Sequence, residues 1–229
     1  KSAYIPNAKP TLTPASWAFD VREEPCAGRI GMTKSELKHH AKPKDAEHSV
    51  VVAVIDSGVD YNHPAIHDQI WLIPDSFQDP HGRKDRVGWD FVSGDAKPSD
   101  DHGHGTEIAS LVLAVAPGTR IMPIKIFNPW GVTRSASIQG AFEYAVDHGA
   151  HLIVCAWGTP VASNALRSGV EYAAAHGVVV IAGAGDAVKG VGQDLAASKL
   201  YPAAWSHDPS LTGHVVAVAA TEDESDHLL

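Results

Sequence analysis

The stretch Val50-Val51-Val52-Ala53-Val54-Ile55, followed directly by Asp56-Ser57-Gly58, decides the fold. It is too uniformly apolar for a strand with one face in water and too short for a helix, so it predicts a strand that is covered on both faces. Strands of that kind belong to parallel sheets. Asp56 follows at the carboxyl end of the strand, where Gly58 permits a sharp exit turn.

Four further apolar runs predict strands of the same kind: Ile121–Ile126, Leu152–Cys155, Val178–Ala182 and Val215–Ala219. Between the first four of the five runs, apolar residues recur at the spacing of an amphipathic helix, over Ile108–Val115, Ile138–Val146 and Leu166–Ala174. Buried strands that alternate with helices predict an α/β fold, with a mostly parallel sheet and helices on both faces. In such a sheet, ligands bind beyond the carboxyl ends of the strands.

Composition limits the classes of protein that fit. The chain has 229 residues, 44% of them hydrophobic and 20% charged, which is typical of one globular domain. A formal charge of −9 argues against nucleic acid and anionic membrane as partners, because both need basic patches. No apolar run is long enough to span a bilayer, and the start at Lys1 lacks the apolar core of a signal peptide. These features predict a soluble protein that is cytoplasmic or already processed.

The chain divides at about residue 49. Residues 1–48 contain frequent prolines and mixed charge, which predicts an extended N-terminal arm before a domain over residues 49–229. Within the domain, the stretch from Asp56 to Asp101 is strongly acidic. Two interpretations of this stretch stay open, a solvated loop and an oxygen-rich structural calcium site.

Three short segments fall where the sheet predicts a ligand site. Asp56-Ser57-Gly58 follows the first strand, Asp100-Asp101-His102-Gly103-His104-Gly105-Thr106 opens the first helix, and Gly183-Ala184-Gly185-Asp186 follows the fourth strand. A histidine between two glycines becomes a general base once a carboxylate orients its ring. The first segment also has a simpler interpretation as a helix cap or turn, and the third as a strand-to-loop turn. His102 and His104 could instead be metal ligands or ordinary surface histidines.

Taken together and in order, these segments resemble the subtilisin-like serine proteases. The resemblance rests on three motifs and runs from about Ser49 to the last residue: Val52-Ala53-Val54-Ile55-Asp56-Ser57-Gly58-Val59-Asp60, His102-Gly103-His104-Gly105-Thr106-Glu107-Ile108-Ala109-Ser110 and Val178-Val179-Val180-Ile181-Ala182-Gly183-Ala184-Gly185-Asp186. It implies a three-layer subtilisin-like fold and cleavage of peptide bonds by an Asp-His-Ser triad, with no required cofactor.

The resemblance also implies roles for individual residues. Asp56 matches the catalytic aspartate and His104 the catalytic histidine that it orients. Peptide or protein substrate would lie as an added strand in a groove between two segments, the first with Gly131 and Val132 and the second with Ala156, Trp157 and Gly158. Gly183 and Gly185 would line the pocket for the residue before the scissile bond. Asp186 stands at the oxyanion position, where most of the family has asparagine.

The nucleophile is the largest departure from the family pattern. The glycine-threonine-serine motif that carries it occurs nowhere in the 229 residues, and Ser135, Ser137 and Ser198 match non-catalytic positions. Three explanations stay open. The serine lies on a missing or companion C-terminal segment, the protein is a pseudoprotease that binds peptide, or Asp56, His102 and His104 hold a metal.

Two further expectations concern the location of the protein and its cysteines. Most members of the family are secreted, so secretion is implied here, with a cytoplasmic location as the alternative. Cys155 falls near the end of a buried strand, which favours a small core side chain, while pairing with Cys26 stays open.

Overall fold

The computed structural model describes residues 49–185 and 198–220, and its centre is a six-stranded parallel sheet. The strands are β1 (Val51–Asp56), β2 (Trp89–Asp90), β3 (Arg120–Lys125), β4 (Leu152–Cys155), β5 (Val179–Gly183) and β6 (Val215–Val218), in the order β2-β3-β1-β4-β5-β6. Every neighbouring pair is parallel. The arm predicted for residues 1–48 lies outside the described residues.

Helices cover both faces of this sheet. They are α1 (His104–Val115), α2 (Ser135–Asp147) and α3 (Asn164–Ala175), with short 3-10 turns at His67–Gln69, Ala203–His207 and Pro209–Leu211. Ala53 of β1 packs with Phe142 of α2 and Leu166 of α3, whereas Val54 faces the other way, toward Ala109 of α1. The predicted α/β fold, a mostly parallel sheet between two layers of helices, is confirmed.

Strands β1, β3, β5 and β6 each begin or end one residue away from the predicted runs, and one strand was not predicted. Strand β1 begins at Val51 and includes Asp56, because the Asp56 carbonyl accepts a hydrogen bond from Ile126 N–H at 2.8 Å and so extends the pairing with β3. Val50 lies outside the strand and is exposed. The short strand β2 was not predicted, because two residues are too few to show a pattern.

The sheet face beneath α1 is covered unevenly. Val54 on β1, Ile181 on β5 and Val216 on β6 point to this same face, since they belong to one row of the parallel register. Val54 is fully buried, but Val216 is 45% exposed and its neighbour Val218 is 52% exposed. Helix α1 therefore covers the β1 side of this face and leaves the β6 side open.

The acidic stretch folds largely onto itself. The Asp79 carboxylate accepts hydrogen bonds from the N–H groups of His81 and Arg83. It also forms an ion pair with Arg83, whose Nε lies 2.9 Å from Asp79 Oδ2. The Arg83 guanidinium lies 5.0 Å from the centre of the Tyr144 ring on α2, and the Tyr144 hydroxyl donates to Asp85. Residues 49–185 and 198–220 contain no group of three or more His, Cys, Asp or Glu side chains that could hold a metal ion.

One glycine allows α1 to lie against the end of β1. A Cβ atom on Gly105 would stand 2.1 Å from the Gly58 carbonyl oxygen and 3.1 Å from Asp56 Cβ. Because the first neighbour is backbone, we expect Gly105→Ala to lower the free energy of unfolding by about 3 kcal/mol, at the upper end of the usual overpacking range. Urea denaturation measures this change. The matched control is Gly183→Ala, which has open space around the added methyl group and should change stability by less than about 1 kcal/mol; equal losses in both variants would contradict the close approach.

Candidate active site

Asp56 is the last residue of β1 and is completely buried. Its Oδ1 accepts a hydrogen bond from the Ser57 N–H at 2.7 Å. The same carboxylate faces the ring of His104, with Nδ1 2.8 Å from Oδ1 and 3.0 Å from Oδ2. A buried carboxylate needs partners of this kind, and the pairing with His104 satisfies it.

His104 is the first residue of α1, and Asp100 builds the start of that helix. The Asp100 carboxylate accepts from the N–H groups of His102, Gly103 and Thr106, and also from the Thr106 hydroxyl. Gly103 has φ +104°, a left-handed conformation that glycine adopts without strain. This turn directs the imidazole back over the carboxyl end of β1.

A second connection joins the two halves of the site. The Ser57 hydroxyl donates to Asp100 at 2.9 Å and accepts from the Gly105 N–H at 3.0 Å. Ser57 directly follows Asp56, and Gly105 directly follows His104. The neighbours of the pair are therefore hydrogen-bonded to each other.

The contact with Asp56 decides the state of the His104 ring. Since a carboxylate only accepts hydrogen bonds, Nδ1 carries the proton and Nε2 is left as the basic nitrogen. Burial opposes a positive charge on the ring, but the hydrogen bond and charge of Asp56, helped by Glu107 and Asp100, outweigh it and raise the pKa of His104. The His104 side chain is 22% exposed, so its ring is reachable from solvent. The pair can accept a proton from a hydroxyl group.

The metal interpretation receives no support from this geometry. The rings of His102 and His104 lie 6.2 Å apart, edge to face. Nδ1 of His104 is committed to Asp56, and the described part of the chain holds no cluster of potential metal ligands.

The first predicted groove segment is a closed turn. The Val132 N–H donates to Asn128 Oδ1 at 3.0 Å, and the Val132 carbonyl accepts from the Asn128 N–H at 3.1 Å. Gly131 has φ +68° and donates to the Asn128 carbonyl. Trp130 and Val132 present their side chains to solvent, at 71% and 42% exposed. The N–H groups of Gly131 and Val132 and the Val132 carbonyl thus have partners within the turn, and its exposed Trp130 and Val132 side chains are apolar.

The second groove segment is placed differently. Trp157 is buried, and its Nε1–H donates to the Ile55 carbonyl at 2.6 Å while its ring packs edge to face on Phe127. Because its side chain points into the protein, Trp157 could contact peptide only through its backbone. Ala156 is half-buried, and a side chain at Gly158 would collide with Leu200.

The remaining predicted residues lie at and beyond the end of β5. Gly183 ends that strand with open space where a side chain would be, and Gly185 has φ +106°. Asp186 lies outside the described residues. Cys155 is a buried free thiol whose pKa is raised by burial and by the charge of Asp56, and Cys26 is likewise outside the described residues.

No serine hydroxyl within residues 49–185 and 198–220 hydrogen-bonds to the His104 ring. Ser135 is the first residue of α2, Ser137 donates weakly to the Phe91 carbonyl at 3.4 Å, and Ser198 is exposed. Within the described residues, the His104 ring therefore pairs with the Asp56 carboxylate and has no serine hydroxyl as a hydrogen-bond partner.

An α/β protein with a buried carboxylate orienting a histidine at the carboxyl edge of its sheet has the arrangement of a triad hydrolase. The model of the Peptidase S8, or subtilase, family matches residues 47–228, so the chain belongs to the subtilase family.

Individual relatives agree with this family. Thermitase of Thermoactinomyces vulgaris is 29% identical over 77% of this chain and 56% of its own length. The thermophilic serine proteinase of Bacillus sp. (strain AK1) is 32% identical over 59% of this chain and 32% of its own length. Subtilisin Savinase of Lederbergia lenta is 27% identical over 91% of this chain and 64% of its own length. The chain therefore spans less than two thirds of the length of each of these curated relatives.

Sequence reasoning missed the residues that support the pair. Ser57, Asp100 and Thr106 lie inside the quoted motifs, but nothing in their spacing shows that they bond to one another. Lys125 at the end of β3 was missed as well. An ionisable residue that ends a buried strand is the one signal that could have pointed to it.

The raised pKa of His104 predicts a measurable pH dependence. We expect the Cε1 proton of His104 to titrate in NMR with a midpoint above the ordinary 6.5, and Asp56→Asn to lower that midpoint. Since protonation is favoured in the folded state, the pair stabilises the fold fully below pH 6.5 and loses this contribution as the pH rises through the folded-state pKa. A midpoint below 6.5 in the unmodified protein would contradict the Asp56 contact.

Proposed function

We propose that this protein is a serine endopeptidase of the subtilisin type, in which Asp56 and His104 act with a serine that lies outside the 229 residues. The contact of 2.8 Å between His104 Nδ1 and Asp56 Oδ1 carries the proposal. It leaves Nε2 as a base on a partly exposed ring. Family membership supports the same reaction.

The reaction follows from the protonation state of the pair. As the serine Oγ bonds to the scissile carbonyl carbon, its proton moves to His104 Nε2 and the carbonyl electrons form an oxyanion. Asp56 stays ionised and stabilises the imidazolium. His104 then gives the proton to the leaving amine as the C–N bond breaks, and water releases the acyl group by the same steps in reverse.

The open half of the sheet supports a separate serine-bearing segment. Parallel sheets are normally covered on both faces, yet Val216 and Val218 leave an apolar surface beside α1. Helices that cover such a sheet run antiparallel to its strands, as α1 does, so their first residues lie at the edge that holds His104. A companion helix on this surface would present its first turn to that edge.

Extended peptide is the proposed substrate. The turn at Trp130 and Val132 offers apolar side chains on one side, and the backbone of Ala156 and Gly158 offers pairing on the other. The open space at Gly183 would accept the residue before the scissile bond, which favours a sizeable apolar side chain. Proteolysis of casein and of short chromogenic peptides tests this preference.

The decisive test of function is peptide hydrolysis by the complete gene product. We expect hydrolysis that His104→Ala abolishes. His176→Ala is the matched control, because His176 is exposed at the opposite end of the sheet, where α3 ends, and should leave the rate unchanged. A complete protein without hydrolytic activity from acid to neutral pH would refute the proposal.

A pseudoprotease that binds peptide in the same groove is the second candidate. It is favoured by the absence of a serine hydroxyl on His104 within the described residues, together with Asp186 and with Glu107 after the Gly-Thr pair. This candidate predicts peptide affinity that survives His104→Ala, and fluorescence anisotropy with a labelled peptide measures it. Affinity lost in that variant would count against pure binding.

We further propose that the protein is secreted, as the family resemblance implies, with a cytoplasmic location as the alternative. Among the described residues no helix has the length and apolar character to cross a membrane. Cell fractionation of the source organism, probed with an antibody, tests the location.

A further inference from the structure

Lys125 is a buried cation beside the proposed site. It is the last residue of β3, stands opposite Asp56 in the register of the sheet, and is 3% exposed. A buried ammonium is costly unless it is paired and hydrogen-bonded. Its position at the edge of the sheet would allow a side chain pointing to solvent, but the Lys125 side chain is directed inward instead.

Two partners hold the ammonium. Lys125 Nζ donates to the Ser57 carbonyl at 2.6 Å and to Asp101 Oδ1 at 2.5 Å. Ser57 directly follows Asp56, and Asp101 belongs to the loop that leads to His104 three residues later. One side chain therefore joins the turn after Asp56 to the loop before His104.

This connection is distinct from the one made by the Ser57 hydroxyl. The hydroxyl binds Asp100 and the Gly105 N–H, while Lys125 holds the carbonyl of the same residue. Ser57 is thus fixed from both its side chain and its backbone. Loss of either connection would let the Asp56 turn move relative to α1.

We propose that Lys125 is a positioning residue of the Asp56–His104 pair, which fixes the Asp56 turn against the loop that carries His104. The role in catalysis rests on the proposed function, whereas the effect on the geometry of the pair does not. Lys125 touches neither ring nor substrate and acts only through Ser57 and Asp101.

Positioning and simple charge make opposite predictions for Lys125→Met. Removing a nearby cation makes protonation of His104 easier, so charge alone would raise the titration midpoint of the ring. A looser contact with Asp56 makes protonation harder, so loss of positioning lowers it. The other charged or titratable groups that face His104 are Asp100, Glu107 and His102, and none of them is altered.

The test is NMR titration of His104 in this chain. We expect Lys125→Met to lower the midpoint by about half a pH unit or more. Lys84→Met is the matched control, since it removes the same charge from an exposed loop residue and should leave the midpoint unchanged. Circular dichroism confirms that each variant is folded.

A second variant keeps the test valid if Lys125→Met does not fold. Asp101 is 46% exposed, so Asp101→Ala should fold while removing one partner of the ammonium. We expect Asp101→Ala to lower the midpoint further than Asp101→Asn, which removes the same charge but keeps an oxygen acceptor for the ammonium. Asp101→Ala should also lower kcat of the complete enzyme about tenfold with little change in KM, as misplaced catalytic groups do. A higher midpoint in Lys125→Met, or no change in either variant, would overturn the proposal. Failure of the proposed function would show differently. The His104 midpoint would still fall in Lys125→Met, but the complete protein would have no hydrolytic activity.

Discussion

Asp56→Asn should lower kcat of the complete enzyme by about 10⁴-fold, the size of effect that loss of the orienting carboxylate has in triad proteases. The cause is the tautomer of His104. Asparagine can donate its amide hydrogen to Nδ1, so the ring proton moves to Nε2 and the base can no longer accept from serine. Steady-state hydrolysis of a peptide substrate measures the loss.

The control for this prediction is Asp68→Asn, which makes the same chemical change at a side chain that is 57% exposed. It should leave kcat within about twofold, as surface substitutions do. A loss of less than tenfold in Asp56→Asn would mean that the carboxylate does not orient the base. Unchanged thermal unfolding in both variants would exclude a folding defect as the cause.

Asp186→Asn should raise kcat about a hundredfold near neutral pH. An ionised aspartate at the oxyanion position repels the developing charge, whereas asparagine donates a hydrogen bond worth about 2.7–4 kcal/mol in the transition state. Asp186 lies outside the described residues, so this expectation follows from its chemistry and from the family position that it matches. Peptide hydrolysis over a range of pH measures the change.

The pH dependence of kcat and a second variant test the role of Asp186 more closely. The ratio of kcat in Asp186→Asn to kcat in the unmodified enzyme should shrink toward acid pH, because a protonated Asp186 can again donate a hydrogen bond. Taking the ratio removes the effect of His104 protonation, which lowers both rates. Asp186→Ala removes the charge without adding a donor and should fall between the two. An unchanged or lower rate in Asp186→Asn would remove this account of the residue.

The fold could be predicted because its signals are local. A short, fully apolar run such as Val51–Ile55 favours a strand buried on both faces, and the helices between the runs show their own periodicity. Strand β2 is too short to show a pattern, and the end of β1 depends on a hydrogen bond from a partner strand. The uncovered β6 side of the sheet is also a tertiary property, which a single strand pattern cannot show.

The site could be predicted only in part. The Asp56 and His104 motifs indicated the pair, and the structure places the two side chains 2.8 Å apart. Their support was not predictable, because Lys125 and Ser57 meet through pairing between strands that lie far apart in sequence. The hydrogen bond from the Val132 N–H to the Asn128 side chain was likewise not predictable, because spacing alone does not show that these two residues close a turn.

The most direct test of the central claim is labelling of the complete gene product with a fluorophosphonate probe, followed by mapping of the modified residue by mass spectrometry. The claim is that Asp56 and His104 activate a serine that the 229 residues do not contain. We expect one labelled serine outside these residues, with labelling lost in His104→Ala and kept in His176→Ala. Labelling of Ser135, Ser137 or Ser198, or no labelling at neutral pH, would contradict the claim.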